Sequence, residues 1–211
     1  MLDIGCGAPG WLVLNYAKKG ADVHAIDIAE SAISSTKKGL KLFKLKAKLK
    51  RAEAENLPYK NDFFDFVSAS GSLDHSLDTQ KCVDEVYRVL KKGGETTISL
   101  YYNGLMFKKW FFPITMFFIR LFLKAPHRKR MKKAKSPEEL LRKIDGDNNP
   151  HTMMFTKKEA LQLFKKFEIV NVECHEFIMH FMPKYFPKFL HRILDMLFPL
   201  KIYIQAKKPK A

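Results

Sequence analysis

Leu2-Asp3-Ile4-Gly5-Cys6-Gly7-Ala8-Pro9-Gly10 decides the fold class of this chain. Leu2-Asp3-Ile4 reads as the tail of an apolar strand. A Gly-x-Gly-x-x-Gly loop follows, then a helix with Leu12, Leu14, Tyr16 and Ala17 among its apolar positions and Gly20 suited to its end. Glycines between a strand and a helix let the backbone approach a ligand at the helix N-terminus. Alone the spacing is weak, because dinucleotide enzymes share it. Asp3 narrows the choice: two residues before the first glycine, its carboxylate would repel a pyrophosphate and attract an ammonium or a sulfonium. The bland alternative for Asp3 is a solvated acid at a strand end. Asp27 closes the next strand, Asp22 to Asp27, seventeen residues past Gly10, where an acid can bind both ribose hydroxyls.

Working outward, the first half alternates strands and helices. A helix from Ala29 to about Lys41 precedes short strands at Leu49–Glu53 and Phe64–Ser70. Gln80 to Leu90 is amphipathic, with Val83, Val86, Val89 and Leu90 inward, and a Lys91-Lys92-Gly93-Gly94 turn leads into a strand from Glu95 to Tyr101. This alternation predicts a Rossmann-like, mainly parallel α/β sheet with helices on both faces. From Tyr102 to about Met154 no strand is expected. Pattern returns with a helix from Thr156 to Lys166, opened by a Thr156-x-x-Glu159 capping box, a strand from Glu168 to Glu176 and a last one from Lys201 to Ala206. The economical reading is one domain over residues 1–211, with an insertion or lid over 102–155.

Of 211 residues, 46% are hydrophobic and 28% charged, values of a globular chain that exclude wholesale disorder. Cys6, Cys82 and Cys174 form no Cys-x-x-Cys pair, which argues against a disulfide scaffold or a metal site and for a reducing, cytoplasmic setting. No secretory signal is read at Met1, and the longest apolar run, Trp110 to Ile119, is ten residues, about half of a membrane span. The formal charge of +16 is concentrated: residues 37–51 hold eight Lys/Arg and no acid, and residues 91–135 hold twelve against Glu95. Two such surfaces imply an anionic partner, nucleic acid or anionic lipid.

Five motifs together resemble the class I S-adenosylmethionine-dependent methyltransferases, in their small-molecule and lipid-modifying subfamily. They are Leu2 to Gly10, Ala25-Ile26-Asp27-Ile28, Ala52 to Tyr59 with Phe64-Asp65-Phe66-Val67, Ser70-Gly71-Ser72-Leu73-Asp74-His75, and Leu90 to Gly94. The match covers roughly residues 1–101, and Ile202 to Pro209 resembles the family's last, antiparallel strand. The resemblance implies S-adenosyl-L-methionine as cofactor. Asp3, Gly5 and Gly7 would then contact its methionine part. Asp27 would hold the ribose, Ile28 would lie against the adenine, and Ala54 would offer a backbone N–H to the ring. Glu53 stands where the family usually has an aspartate. Ser70 and Leu73 would line the cofactor on its substrate side. The family's helix and strand residues before the first motif are missing here, so a truncated N-terminus is expected.

Because a sulfonium is already an activated donor, holding an acceptor in line supplies most of the catalysis. A base is needed only where the acceptor loses a proton. His75 is the best-placed candidate, against the plain alternative of a loop histidine with a structural hydrogen bond. His151 is weaker, His24 reads as a strand residue, and Cys6 as packing.

Leu105 to Leu123 is rich in Trp and Phe and runs into Lys124–Lys135, with seven Lys/Arg and no acid. That composition suits a segment lying in a membrane interface, and Phe177 to Leu200, with Phe181, Tyr185, Phe186, Phe189, Leu190 and Leu197, has the same character. The alternatives are an aromatic lid over a substrate pocket with a wet basic face, or RNA in a basic groove. The expected function is methyl transfer to a small or lipid-like acceptor, with an anionic membrane contacted through 105–135 and 177–200. The acceptor site is expected from 102–155 and 177–200 over the ends of strands four and five. The rivals are an RNA methyltransferase and a membrane-peripheral protein with a vestigial cofactor site.

Overall fold

A computed structural model describes residues 1–122, 129–145, 151–176 and 187–210. The elements are β1 (Leu2–Ile4), α1 (Trp11–Lys18), β2 (His24–Asp27), α2 (Glu30–Leu42), β3 (Lys48–Arg51), β4 (Phe64–Ser70) and α3 (Thr79–Val89), then β5 (Leu90–Tyr102) and α4 (Phe112–Phe122). They continue with α5 (Pro137–Asp145), β6 (Met154–Phe155), α6 (Lys157–Leu163), β7 (Glu168–His175), α7 (Lys188–Leu197) and β8 (Lys201–Lys207). The sheet order is β3-β2-β1-β4-β5-β8-β7, with β6 against β5. Strands β3 to β5 run parallel through β2, β1 and β4. The last strand is antiparallel to β5: Gly93 N–H donates to the Lys208 carbonyl at 2.9 Å, and Tyr102 N–H to that of Leu200 at 2.9 Å. This is the Rossmann-like sheet that the alternation predicts.

Strand β1 lies between two parallel neighbours, and Leu2, Asp3 and Ile4 are all buried. Such a strand is normally apolar throughout, so an acid at its middle residue stands out. Helix α1 buries Val13 and Leu14 and leaves Leu12 at the surface. The Lys91–Gly94 turn is instead a bulge within β5, where the register with β4 shifts between Phe64 and Phe66. Gly93 at φ +76° supplies the left-handed residue, and a Cβ on Gly94 would stand 2.9 Å from the Lys91 carbonyl. The capping box is present: Thr156 N–H donates to Glu159 Oε2 at 2.8 Å, and Glu159 N–H to Thr156 Oγ1 at 3.3 Å.

The chain divides into two compact units, one of residues 1–100, 160–172 and 203–211, the other of 101–159 and 173–202. In the first, a core of Cys6, Val13, Leu14, Val23, Ala25 and Leu40 packs beneath the glycine loop. The second has its own core, centred on Met106, Phe107, Met116, Ile119, Leu140 and Leu141. There Thr115 Oγ1 donates to the Met106 carbonyl at 2.9 Å, and His175 lies between Asp195 (3.3 Å) and Glu173 (3.0 Å), tying α7 to β7. Lys124 to Arg128, and Phe177 to Phe186 with Phe181, Tyr185 and Phe186, lie outside the described residues. Among the described residues no helix is long and apolar enough to cross a membrane.

Candidate functional site

The glycine loop is built by three left-handed residues, Gly5 (φ +71°), Gly7 (φ +60°) and Gly10 (φ +75°), a region that side-chain-bearing residues avoid. Their surroundings separate them. A Cβ on Gly5 would stand 2.3 Å from Ser72 Cβ, and one on Gly10 would stand 2.5 Å from both Thr36 Oγ1 and Cγ2. A Cβ on Gly7 would meet nothing within 4 Å. Gly5 and Gly10 are therefore small so that the loop can pack, whereas Gly7 keeps open a space that the protein does not fill.

Around that space the loop is held from beneath. Thr36, fully buried on α2, donates to the Gly7 carbonyl at 3.0 Å. Gly7 N–H donates to Asp27 Oδ2 and Ala29 N–H to Asp27 Oδ1, both at 2.9 Å, so the carboxylate at the end of β2 is aimed and each oxygen keeps a lone pair. Ile28 beside it is 62% exposed, an apolar side chain uncovered at the rim. Glu53 and Ser70 are exposed and Ala54 is half-buried.

Burial sets two of the expected positions apart. Asp3 is 1% exposed, which overturns the alternative of a solvated strand-end acid. Ser68 Oγ donates to Asp3 Oδ1 at 2.6 Å. Burial pushes the Asp3 carboxyl up to about 6; the Ser68 bond opposes this and the charge of Asp27 adds to it. Leu73 has no accessible surface and packs inward from a single 3-10 turn, Leu73–His75. The sequence shows it as one apolar residue in a polar loop, and only the packing reveals that it serves as the loop's anchor.

His75 closes that turn, half-buried, its N–H donating to the Ser72 carbonyl at 3.2 Å. His24 is the strand residue it was read as, ringed edge-on by Tyr59, Phe63 and Phe64. Cys6 is buried at 3.8 Å from Thr36 Oγ1, and desolvation raises its thiol to about 11, which makes it a packing residue and not a nucleophile. Among the described residues no group of three or more His, Cys, Asp or Glu could hold a metal ion.

Residues 2–98 match the family described as Methyltransferase domain. Residues 2–98 therefore carry that family's methyltransferase domain. The phosphoethanolamine N-methyltransferase 2 of Caenorhabditis elegans is 30% identical to it over 105 residues, 49% of this chain and 24% of that protein. The demethylmenaquinone methyltransferase of Bacillus mycoides is 30% identical over 97 residues, 44% of this chain and 41% of that protein. The chain thus spans well under half the length of these relatives. A solved S-adenosylmethionine-dependent methyltransferase from Methanosarcina mazei shares the fold, with a TM-score of 0.66 over 100% of this chain and 92% of that one at 24% identity.

The methyltransferase domain also contains a positioning network that sequence reading misses. Arg88 on α3 donates through Nε and Nη2 to Glu85 (2.6 and 2.7 Å), through Nη2 to the Leu57 carbonyl (3.0 Å), and through Nη1 to the Tyr59 carbonyl (2.7 Å) and Asn61 Oδ1 (3.0 Å). Glu85 Oε2 in turn accepts Leu57 N–H at 2.7 Å, and Glu55 Oε1 accepts Leu77 N–H at 3.0 Å. These bonds hold the loop that follows Glu53 and Ala54. In sequence, Glu85 and Arg88 are simply the charged side of an amphipathic helix. Arg88→Ala is expected to lower stability by about 2–4 kcal/mol, because it strands the half-buried Glu85 and two carbonyls at once. A urea melt of the variant within about 0.5 kcal/mol of wild type would mean that the loop holds itself.

Proposed function

We propose that this protein transfers a methyl group from S-adenosylmethionine to a small, lipid-like acceptor at an anionic membrane surface. The observation that carries the first part is the open space over Gly7, bordered by the aimed carboxylate of Asp27 and the uncovered Ile28. A nucleoside fits that rim, since Asp27 has lone pairs for two hydroxyls and a flat ring would cover Ile28. The buried carboxylate of Asp3 suits the cation of the methionine part. The exposed Glu53, the N–H of Ala54 and Ser70 would complete the surround.

The cofactor supplies a methyl group on a sulfonium that needs no further activation. The chain's own residues would bind and orient it, and the acceptor would be held in line. His75 would take the proton of an acceptor that must lose one. Calorimetry with S-adenosylmethionine tests the reading: wild type binds, and Asp27→Ala weakens binding by roughly 1.5–3 kcal/mol. A folded wild-type chain giving no heat would favour a vestigial site.

A lipid-like acceptor and a membrane contact are supported by the second unit. Helix α4 buries Met116 and Ile119 but exposes Ile114, Phe117, Phe118 and Leu121, spaced as one face, with Trp110 exposed just before it. Helix α7 exposes Phe189, Ile193, Met196 and Leu197. Two uncovered apolar faces beside basic residues suit an interface with acyl chains more than a wet lid. The relatives are named for small-molecule acceptors, which agrees with the coarser part of the reading. Vesicles containing anionic lipid should retain the protein, and about 0.5 M salt should remove the electrostatic share. Tight retention of RNA with no binding to either neutral or anionic vesicles would overturn this in favour of an RNA substrate.

A further inference from the structure

We infer that the corner where α2 turns into β3 is a second, independent attachment point for an anionic lipid surface, in the first unit and distant in sequence from the helices just described. The inference deepens the membrane reading and rests on it only for the choice of partner. Four observations carry it.

The corner is cationic with one ion pair to offset it. From Ser31 to Ala52 there is no acid, while Lys37, Lys38, Lys41, Lys44, Lys46, Lys48, Lys50 and Arg51 fall within fifteen residues, all of them exposed. Lys48 pairs with Asp22 at 3.1 Å, and Arg51 donates to the Ile28 carbonyl at 2.9 Å. Among the described residues no carboxylate lies within ion-pair distance of the other six.

Amid those charges stand two large apolar side chains in water, Leu42 at 76% and Phe43 at 57% exposure. Side chains this exposed add little burial to the fold. An aliphatic and an aromatic side chain set among lysines match the acyl boundary and the headgroups of an anionic bilayer.

The backbone holds that pair outward. Lys44 N–H donates to the Lys41 carbonyl (3.2 Å) and Leu45 N–H to that of Leu40 (2.9 Å), the two bonds of a Schellman helix end. Leu40 and Leu45 face the same core, so the turn is anchored and Leu42 and Phe43 point away from it.

The residue at the left-handed position of that turn is Lys44, at φ +54°, where glycine is the unstrained choice. The chain accepts backbone strain there and keeps a cation.

Two plainer readings account for part of this. Lysines at a helix C-terminus complement its dipole, and lysines on an edge strand such as β3 discourage pairing with another chain. Neither calls for Leu42 and Phe43, nor for a lysine where glycine would relax the turn. A nucleic acid would want several stacking rings or forked guanidinium groups, whereas seven of the eight cations are lysine and Phe43 is the one aromatic ring between Lys37 and Arg51.

Flotation of the full-length chain with phosphatidylcholine vesicles, with and without phosphatidylglycerol, tests the inference. Lys41→Gln with Lys44→Gln and Lys46→Gln should lower partition onto the anionic vesicles about tenfold or more. Leu42→Ser with Phe43→Ser should lower the salt-resistant part by a similar factor. Lys44→Gly should leave the melting temperature unchanged or raised while weakening partition, a split that a structural lysine would not produce. A local probe adds direct contact: Phe43→Trp, placed in a Trp11→Phe and Trp110→Phe background, should shift its emission to the blue on anionic vesicles only. S-adenosylmethionine binding should be unchanged in the lysine variants and in Leu42→Ser with Phe43→Ser, since none of those residues lies at the glycine loop. If the chain binds anionic vesicles, the probe does not shift and the lysine variant partitions like wild type, the corner is uninvolved and the inference falls, while the contact through α4 and α7 stands. No vesicle binding by wild type would sink both, and RNA retention lost in the lysine variant would assign the corner to nucleic acid.

Discussion

Replacing Gly7 by valine is expected to abolish S-adenosylmethionine binding while leaving the chain folded. The position separates two demands that the motif itself confounds. A side chain here meets no protein atom within 4 Å, so the fold loses only what a left-handed φ of +60° costs a branched residue, about 1–2 kcal/mol. Its N–H still reaches Asp27. The whole effect on the ligand is steric, and titration calorimetry should show an affinity loss of at least about 100-fold, near 3 kcal/mol. Gly10→Ala should behave in the opposite way, since its Cβ would overlap the fully buried Thr36 of α2 and the variant should melt early. Retention of near-wild-type affinity by folded Gly7→Val would show that the open space belongs to no ligand.

Asp3→Asn should make the protein more stable at pH 7 and poorer at holding its cofactor. The carboxyl titrates at about 6 in the folded chain against an ordinary 3.8, because β1 buries it between two strands. The folded state therefore binds this proton more tightly than the unfolded chain does. That contribution is complete below about pH 3.8 and is lost as pH rises through 6, leaving the chain at pH 7 about 3 kcal/mol less stable than with a neutral side chain. Asparagine keeps an acceptor for Ser68 and carries no charge, so urea melts should find a gain of roughly 1–3 kcal/mol at pH 7 that vanishes near pH 4. A cation bound beside Asp3 favours the ionised form. Wild-type affinity for S-adenosylmethionine should therefore fall as pH drops below about 6, and in Asp3→Asn it should be lower and flat with pH. A wild-type affinity that does not change between pH 5 and pH 7.5 would take Asp3 out of the binding role.

The two variants divide the glycine loop into a part that shapes space and a part that stores charge at the expense of stability, a division common at functional sites.

Local patterning is what the linear sequence determines here. Apolar runs of strand length alternating with amphipathic helices specify the parallel sheet, because each element's periodicity already contains the face it buries. The loop of Gly5, Gly7 and Gly10, the acid closing β2, the capping box at Thr156 and the charge-free-of-acid run before β3 are legible for the same reason: each depends on neighbours in sequence. What depends on neighbours in space was decided only by the tertiary structure. Whether Asp3 is wet or buried turns on β2 and β4 flanking a three-residue strand. How deeply Leu73 is buried turns on how one helical turn packs, and which glycine shapes a pocket turns on Ser72 and Thr36, 67 and 26 residues along the chain from Gly5 and Gly10. The clamp of Glu85 and Arg88 on the loop after Ala54 likewise joins segments that no short-range pattern connects. Desolvation and steric exclusion are set by whatever the fold brings alongside a residue, so they are not properties of the residue or of its neighbours in the chain.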